Sequence, residues 1–288
     1  MQPGPIYFKT PPECGIFGVM CKAIPQQMNY LRDEASNIGK GANTTISYIH
    51  HYLHNHGLGG THASLHADHC SGQNKNNFFL WYLAWRTIIQ LHDSICYSFL
   101  ITGHTKFGPD HCFRLIKKSY KVSYVSSLYK FAQMVKSLSA VGVNKAQLVR
   151  THDSQVIVPV YNWSAFLQRY FVKVPNIKKF QYFRFSKVEP SRLYFRQYST
   201  SPEQSLQLLK NPAILPPAVL PPSSILQDYL KKGGSICSTR SISSASLEWK
   251  ISLLQHRERK QNSSFKSFHP ALCGEKSCKS KVPHCTYR

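Results

Sequence analysis

Three consecutive segments restrict the fold more than anything else in the chain. Ala63 to Ala67 alternates toward an apolar face, Phe78 to about Gln90 is a long aromatic-rich run, and Ile95 to Thr102 is nearly continuously apolar. Alternation predicts a strand, a run of a dozen residues predicts a helix, and a short unbroken apolar stretch predicts a strand buried on both faces. Asn76 or Asn77 can cap the helix, because a short polar side chain there accepts from the first free backbone N–H groups. Strand, helix and strand in this order are the unit of an α/β sheet.

The flanking segments extend that reading. Ile6 to Lys9 and Gly15 to Ala23 read as two short strands around Pro11-Pro12. Pro25 to Lys40 has helical spacing at Met28, Leu31 and Ala35, with Gly39 as a stop. Asn43 or Thr44 can cap a helix through Ile46, Ile49, Tyr52 and Leu53 that ends at Gly57. Further on, Lys121 to Val125 reads as a short strand and Leu128 to Leu138 as a helix. Val156 to Tyr161 reads as an edge strand because of Pro159, and Phe180 to Phe185 with Arg192 to Tyr198 as a hairpin. The expected architecture is α/β, a mixed sheet flanked by helices, over residues 1–212. Residues 213–288 read as a basic tail, mostly disordered. It opens on the extended proline-rich NPAILPPAVLPP and continues through the Gly/Ser-rich GGSICSTRSISSAS. Short helices are possible within it at Asp228 to Lys232 and Leu247 to Gln255.

Charge bears on partners rather than on fold. The chain has 36 Lys and Arg against 13 acids, a formal net charge of +23. Such an excess suits a polyanion, either nucleic acid or an anionic membrane surface. The front of the chain is basic as well as the tail, which favours nucleic acid, DNA in the first place. Met1 to Thr10 has no apolar core of a signal peptide, and Phe78 to Leu83 and Ile95 to Ile101 fall far short of the roughly 20 residues of a membrane span. The expectation is a nuclear or cytoplasmic protein, not secreted and not in a membrane. Its nine cysteines then stay reduced, with Cys14, Cys21, Cys70, Cys96 and Cys112 as small core residues. Nothing in the sequence sets the oligomeric state.

The chemistry gathers at the end of the first strand. Ligands of open α/β sheets collect at the carboxyl ends of parallel strands, and Asp68 stands at such an end. The second apolar strand leads through Gly103-His104-Thr105 to Asp110. If the two strands are adjacent and parallel, both acids reach one rim. Mg²⁺ or Mn²⁺ held by carboxylates, water and substrate phosphate can then activate an attacking oxygen of a phosphodiester. The loop Ser71-Gly72-Gln73-Asn74-Lys75 offers backbone amides, side-chain amides and a point charge to a phosphate beside a helix N-terminus. The plainer reading stands beside this one: an Asp at a strand end also forms turns, and a polar loop is also just a loop.

The stretches GPIYFKTP, GKGANTTISYIHHYL, LHADHCSGQNKNNFFLWYLAWR, FLITGHTKFGPDHCF and VPVYNW resemble, in order, a transposase-related, ribonuclease-H-like family of transposon-rich eukaryotic genomes. Its mark is Asp-Asn-Cys-x-Gly-Gln-Asn-Lys-Asn, here Asp68 to Asn76, and the likeness covers residues 3 to about 212. The resemblance implies a ribonuclease-H-like sheet and DDE-type, Mg²⁺-dependent phosphodiester chemistry on DNA. Asp68 would be the second acid and Asp110 a candidate third, both as metal ligands. His104 and Lys75 would contact phosphate or orient the attacking water, with Ser71, Gly72, Gln73, Asn74 and Lys106 along the DNA. Two departures belong to the same resemblance. His69 replaces the family's Asn, and the family's first, Asp-bearing strand precedes the point at which this sequence starts. The expectation is therefore a partial domain, its first strand missing and its active site incomplete.

Three other patterns compete for attention. His50, His51, His54, His56, His62 and His66 form a dense run in which His50 and His54 have metal-site spacing, although surface histidines are the simpler reading. Cys273, Cys278, His284 and Cys285 supply four soft ligands without a zinc-finger spacing. KKFQYFRFSKVEPSRLYFRQY interleaves cations with aromatics, as a nucleic-acid surface does, or as an amphipathic hairpin with one aromatic face in the core. Beside the transposase-like reading stand a non-catalytic basic nucleic-acid-binding protein and a metal-dependent phosphohydrolase.

Overall fold

A computed structural model describes residues 13–33, 41–100, 108–138, 141–153, 155–223 and 244–256. The chain divides into units 1–257 and 258–288, and every element described below belongs to the first.

The sheet is mixed. β1 (Glu13–Cys21) turns back through residues 22–25 into antiparallel β2 (Gln26–Asp33). β3 (His62–Ala67) and β4 (Ser94–Phe99) lie side by side in parallel, His62 against Ser94 and Ala67 against Phe99. β5 (Asn144–Leu148) runs parallel to β2 on the outer edge. β6 (Tyr182–Ser186), β7 (Arg192–Arg196) and β8 (Gln204–Gln207) form an antiparallel meander beyond β4. β9 (Ser244–His256) lies between the two halves, parallel to β1 and antiparallel to β3. The order across the sheet is β5-β2-β1-β9-β3-β4-β6-β7-β8.

Helices cover both faces. α1 (Ala42–Asn55), α2 (Asn77–Ile88) and the short α5 (Trp163–Leu167) enclose the larger core with Phe17, Val19, Leu65, Ile95, Tyr97, Phe183 and Phe185. α3 (Gly108–Val122) and α4 (Leu128–Ser137) close a smaller core of Phe113, Ile116, Phe131 and Val135 against Cys14, Ile16 and Leu31. Gly18 lets α3 settle on β1, since a Cβ there would stand 2.5 Å from Phe113 Cζ. α2 is buried from Phe79 through Thr87, as expected of a helix apolar on all sides. Asn76 caps it, Oδ1 accepting from Phe79 N at 3.0 Å. The indoles of α2 anchor later chain: Trp81 Nε1 donates to Val172 O at 2.7 Å and Trp85 Nε1 to Pro217 O at 3.0 Å. The proline-rich stretch opens on a turn, Ile214 N donating to Asn211 O, and is tied to the fold at Pro217 and again at Pro222, whose carbonyl accepts from Asn162 N.

Several sequence expectations are corrected. The described part of the helix expected at Pro25 to Lys40 is β2, because the buried residues there include Gln27 and Asn29. Their amides bond to each other at 2.8 Å and, through Asn29, to Asn144 Oδ1 and Lys145 O. That polar seam leaves no trace in an apolar pattern. β4 is not buried on both faces: its residues alternate, and Cys96 is exposed while Cys70 is half-buried. The strand expected at Lys121 to Val125 is replaced by α3, whose buried stripe of Cys112, Phe113 and Ile116 carries the chain to Val122 as helix. Val156 and Tyr161 make only isolated bridges, with Arg150 and Ser223, since Pro159 interrupts any ladder. Leu247 to Gln255 lies in strand β9 rather than a helix. α1 is capped at Gly41, without a side-chain bond. Asn43 instead reaches α5, where Oδ1 accepts from Ser164 N at 2.8 Å. Ile6 to Lys9, Gly39, His104, Lys106 and the Cys273/Cys278/His284/Cys285 group lie outside the described residues. Among the described residues no helix is long and apolar enough to cross a membrane.

Candidate functional site

The parallel β3–β4 pair puts Asp68 at the carboxyl rim of the sheet, followed by a tight loop into α2. The loop is built around two acceptors. Cys70 O takes the backbone N–H groups of Gln73, Asn74 and Lys75. Asp68 Oδ1 takes Cys70 N at 3.2 Å and Asn74 Nδ2 at 2.6 Å. Tyr97 donates its hydroxyl to Asn74 O at 3.0 Å, which fixes the loop to β4. Asn74 is fully buried, whereas Ser71 and Gly72 are exposed and Gln73 half-buried. Hydrogen bonds occupy one oxygen of the carboxylate, and the other has no hydrogen-bond partner among the described residues.

Lys75 turns inward. It is 3% exposed, and its ammonium donates to Lys178 O at 3.0 Å and Gln181 Oε1 at 3.2 Å. It lies 3.3 Å from His69 Nδ1 and 4.9 Å from the Phe99 ring centroid. Each of its three protons has an acceptor. Burial lowers its pKa to about 8. The pKa of His69 is lowered too, first by burial and then by the Lys75 charge.

Asp110 lies in the first turn of α3, and α3 begins beside Met20, where a Cβ on Gly108 would meet the Met20 sulfur. Among the described residues no three His, Cys, Asp or Glu side chains come together as a metal site. A hard divalent ion takes about six oxygens. The described residues offer it the half-free Asp68 carboxylate at this rim, which is too few ligands to hold it.

The cations divide into two populations. On the β6–β8 meander the core takes Phe183, Phe185, Leu193 and Phe195, and the outer face carries paired charges. Arg184 bonds Glu203 at 2.6 Å and lies 4.2 Å over the Tyr194 ring; Arg196 reaches Glu203 at 3.7 Å, Arg192 reaches Glu189 at 3.7 Å, and Lys187 bonds Asp93 at 2.6 Å. The aromatic-basic stretch thus puts its phenylalanines inside and its cations outside, where these four cations share three carboxylates. On α3 and α4, Arg114, Lys117, Lys118, Lys121, Lys130 and Lys136 are all exposed, and none forms an ion pair among the described residues. Arg114, Lys118 and Lys121 recur at helical spacing on one face. Tyr124 and Tyr129, 83% and 61% exposed, flank them at the α3–α4 turn.

The histidine run is not a surface feature throughout. His50 sits against Tyr82, Trp85 and Trp163, and His51 Nδ1 lies 3.0 Å from the Tyr30 hydroxyl. His62 and His66 cross to Ser94 and Ser98 on β4 at 2.7 and 2.6 Å. Arg86 and His92, neither of them singled out in the sequence, are buried, and Arg86 Nη1 lies 3.4 Å from Nδ1 of the half-buried His50. The one trace they leave in the sequence is a lone arginine inside the aromatic run of α2.

A family model for a domain of unknown function, DUF7869, matches residues 10–202. No curated protein and no solved structure matches the chain.

Proposed function

The chain belongs to the DUF7869 family, and from that footing we propose that it is a nucleic-acid-binding domain on a transposase-related, ribonuclease-H-like scaffold. The observation that carries the proposal is the exposed, unpaired cation face of α3 and α4, where six Lys and Arg meet one acid, Asp110, over 108–137. Cations without carboxylate partners are free to displace counterions from phosphates, the main source of affinity for nucleic acid. Tyr124 and Tyr129 add faces on which bases can stack. The scaffold reading is supported by the antiparallel β1–β2 pair, the parallel β3–β4 pair with Asp68 at its carboxyl rim, and a central strand position between them. In this reading the Asp68 to Lys75 loop serves the fold, its polar groups turned onto one another.

The test is a binding isotherm of the full chain on labelled duplex DNA and single-stranded oligonucleotides across a salt series. A variant carrying Lys117→Gln, Lys118→Gln and Lys121→Gln is expected to reduce the slope of log K against log salt by roughly 2 to 3, about 0.9 for each duplex phosphate that is no longer neutralised. Absence of binding at low salt, or an unchanged slope in the variant, overturns the proposal.

A second reading is favoured by the unbonded Asp68 oxygen at the rim of two parallel strands. There Mg²⁺ or Mn²⁺ would support DNA nicking. Nicking that needs Mn²⁺ or Mg²⁺ and disappears in Asp68→Asn would establish it over the first.

A further inference from the structure

At the opposite end of β3, where Thr61 leads into the strand, a second polar site is built around Arg86. The guanidinium is 4% exposed. Its Nε donates to His92 Nδ1 at 3.2 Å, and its Nη1 donates to the Tyr82 hydroxyl at 2.9 Å and lies 3.4 Å from His50 Nδ1. Nη2 has no hydrogen-bond partner among the described residues. Among the described residues no carboxylate pairs with it: Asp93, next in the chain to His92, is bonded to Lys187 at 2.6 Å. Arg86 lies in the last turn of α2, whose dipole supplies about half a negative charge, and that covers only part of a full cation. A buried charge without a counter-charge is strongly unfavourable.

His92 supplies a second, independent sign. It is 3% exposed, and because its Nδ1 accepts from Arg86 the ring proton belongs on Nε2. That nitrogen is buried without a partner among the described residues. Arg86 and His92 both line a cavity of about 190 Å³, together with His50, Gly59, Gly60 and Thr61. Its lining contains no acid. Two donors of the lining residues have no partner among the described residues: the second guanidinium nitrogen and the buried His92 N–H. Burial and the neighbouring guanidinium keep His50 and His92 neutral, with pKa values lowered to about 3, so neither ring adds to the charge that Arg86 brings to the cavity.

We propose that this cavity binds a phosphate group, which supplies the missing counter-charge to Arg86 and accepts from Nη2 and from His92 Nε2. A tetrahedral oxyanion suits donors that come from two elements, α2 and the loop before β4, because each phosphate oxygen accepts more than one hydrogen bond. The site is separate from the Asp68 rim, six residues of strand or about 20 Å away, and from the cations of α3 and α4.

The experiment measures phosphate binding to the full chain by calorimetry and by the shift in melting temperature, against chloride and acetate at equal ionic strength. Saturable stabilisation by inorganic phosphate is expected, at least tenfold weaker in Arg86→Gln. Because a core substitution can impair folding, a second variant places a carboxylate at the exposed rim. Leu91→Glu is expected to raise the melting temperature in phosphate-free buffer and to abolish the phosphate response. Asp68→Ala and the triple lysine variant should keep the response, which separates this site from the nucleic-acid reading. An oligonucleotide with a 5′-phosphate that competes with inorganic phosphate, while its 5′-hydroxyl counterpart does not, makes a nucleic-acid end the source. Equal failure of both makes it free phosphate. Stabilisation no greater than that by chloride, or a response surviving in both Arg86→Gln and Leu91→Glu, overturns the proposal.

Discussion

Lys75 and Arg86 are both buried cations bordering the same helix, one ahead of its first turn and one in its last, and their surroundings are opposite. Lys75 has an acceptor for each ammonium proton, drawn from a loop a hundred residues away and from its own turn. Arg86 has two neutral rings and a hydroxyl, an idle Nη2 and an open cavity beside it. A cation whose donors are all used locks a loop in place. One left incomplete beside a cavity marks a place for a ligand. Judged by sequence, the roles would be reversed, since Lys75 belongs to the conspicuous polar motif and Arg86 hides in an aromatic run.

The contrast is open to direct attack. The largest effect should come from acid. His50 and His92, beside Arg86, titrate near 3 when folded but near 6.5 when unfolded. Between these values the unfolded chain binds more protons, so stability must fall as pH drops below 6.5, by about 1.4 kcal/mol per pH unit for each ring. His51, lowered by burial to about 4, adds to the same slope. Urea titrations from pH 7 to 4.5 read it directly, and Arg86→Met should make the slope shallower by removing one cause of the low values. A stability flat across that range contradicts the neutral-ring picture of the Arg86 end. Next in size is the pair of removals. Lys75→Met strands the Lys178 carbonyl and the Gln181 side chain and should cost about 3 kcal/mol. Arg86→Met relieves an unbalanced charge and should cost less than half as much in phosphate-free buffer. Equal costs would erase the distinction. The smallest effect concerns Asp68. Asp68→Ala leaves the buried Asn74 amide and the Cys70 N–H without their acceptor, a destabilisation of about 1 to 2 kcal/mol. Asp68→Asn keeps an oxygen at that point and should change stability by no more than a few tenths of that. Hydrogen exchange at Cys70 and Asn74 would follow the same ranking.

How much of the fold is legible in the sequence depends on whether a segment's partners are apolar and near in the chain. β3 is legible from its alternation, α2 and β4 from the length of their apolar runs, and the Asn76 cap because it is local. β2 and β5 are not, since Gln27, Asn29 and Asn144 bury amides that bond to one another across as many as 115 residues. Cys112, Phe113 and Ile116 carry the signal of α3, but a basic run beside them imitates the end of an element. For the site, the position of Asp68 is legible and the inward turn of Lys75 is not. Its acceptors, Lys178 and Gln181, belong to a segment that reads in sequence as a hairpin in its own right.

The sheet's centre carries a consequence of its own. β1 and β3 run in opposite directions with β9 between them. Any strand in that place must be parallel to one neighbour and antiparallel to the other, whichever way it points. Reversing the occupant only exchanges the two kinds of ladder from left to right, leaving the number of each the same. The ladder count at the middle of this sheet thus does not depend on which way its occupant runs.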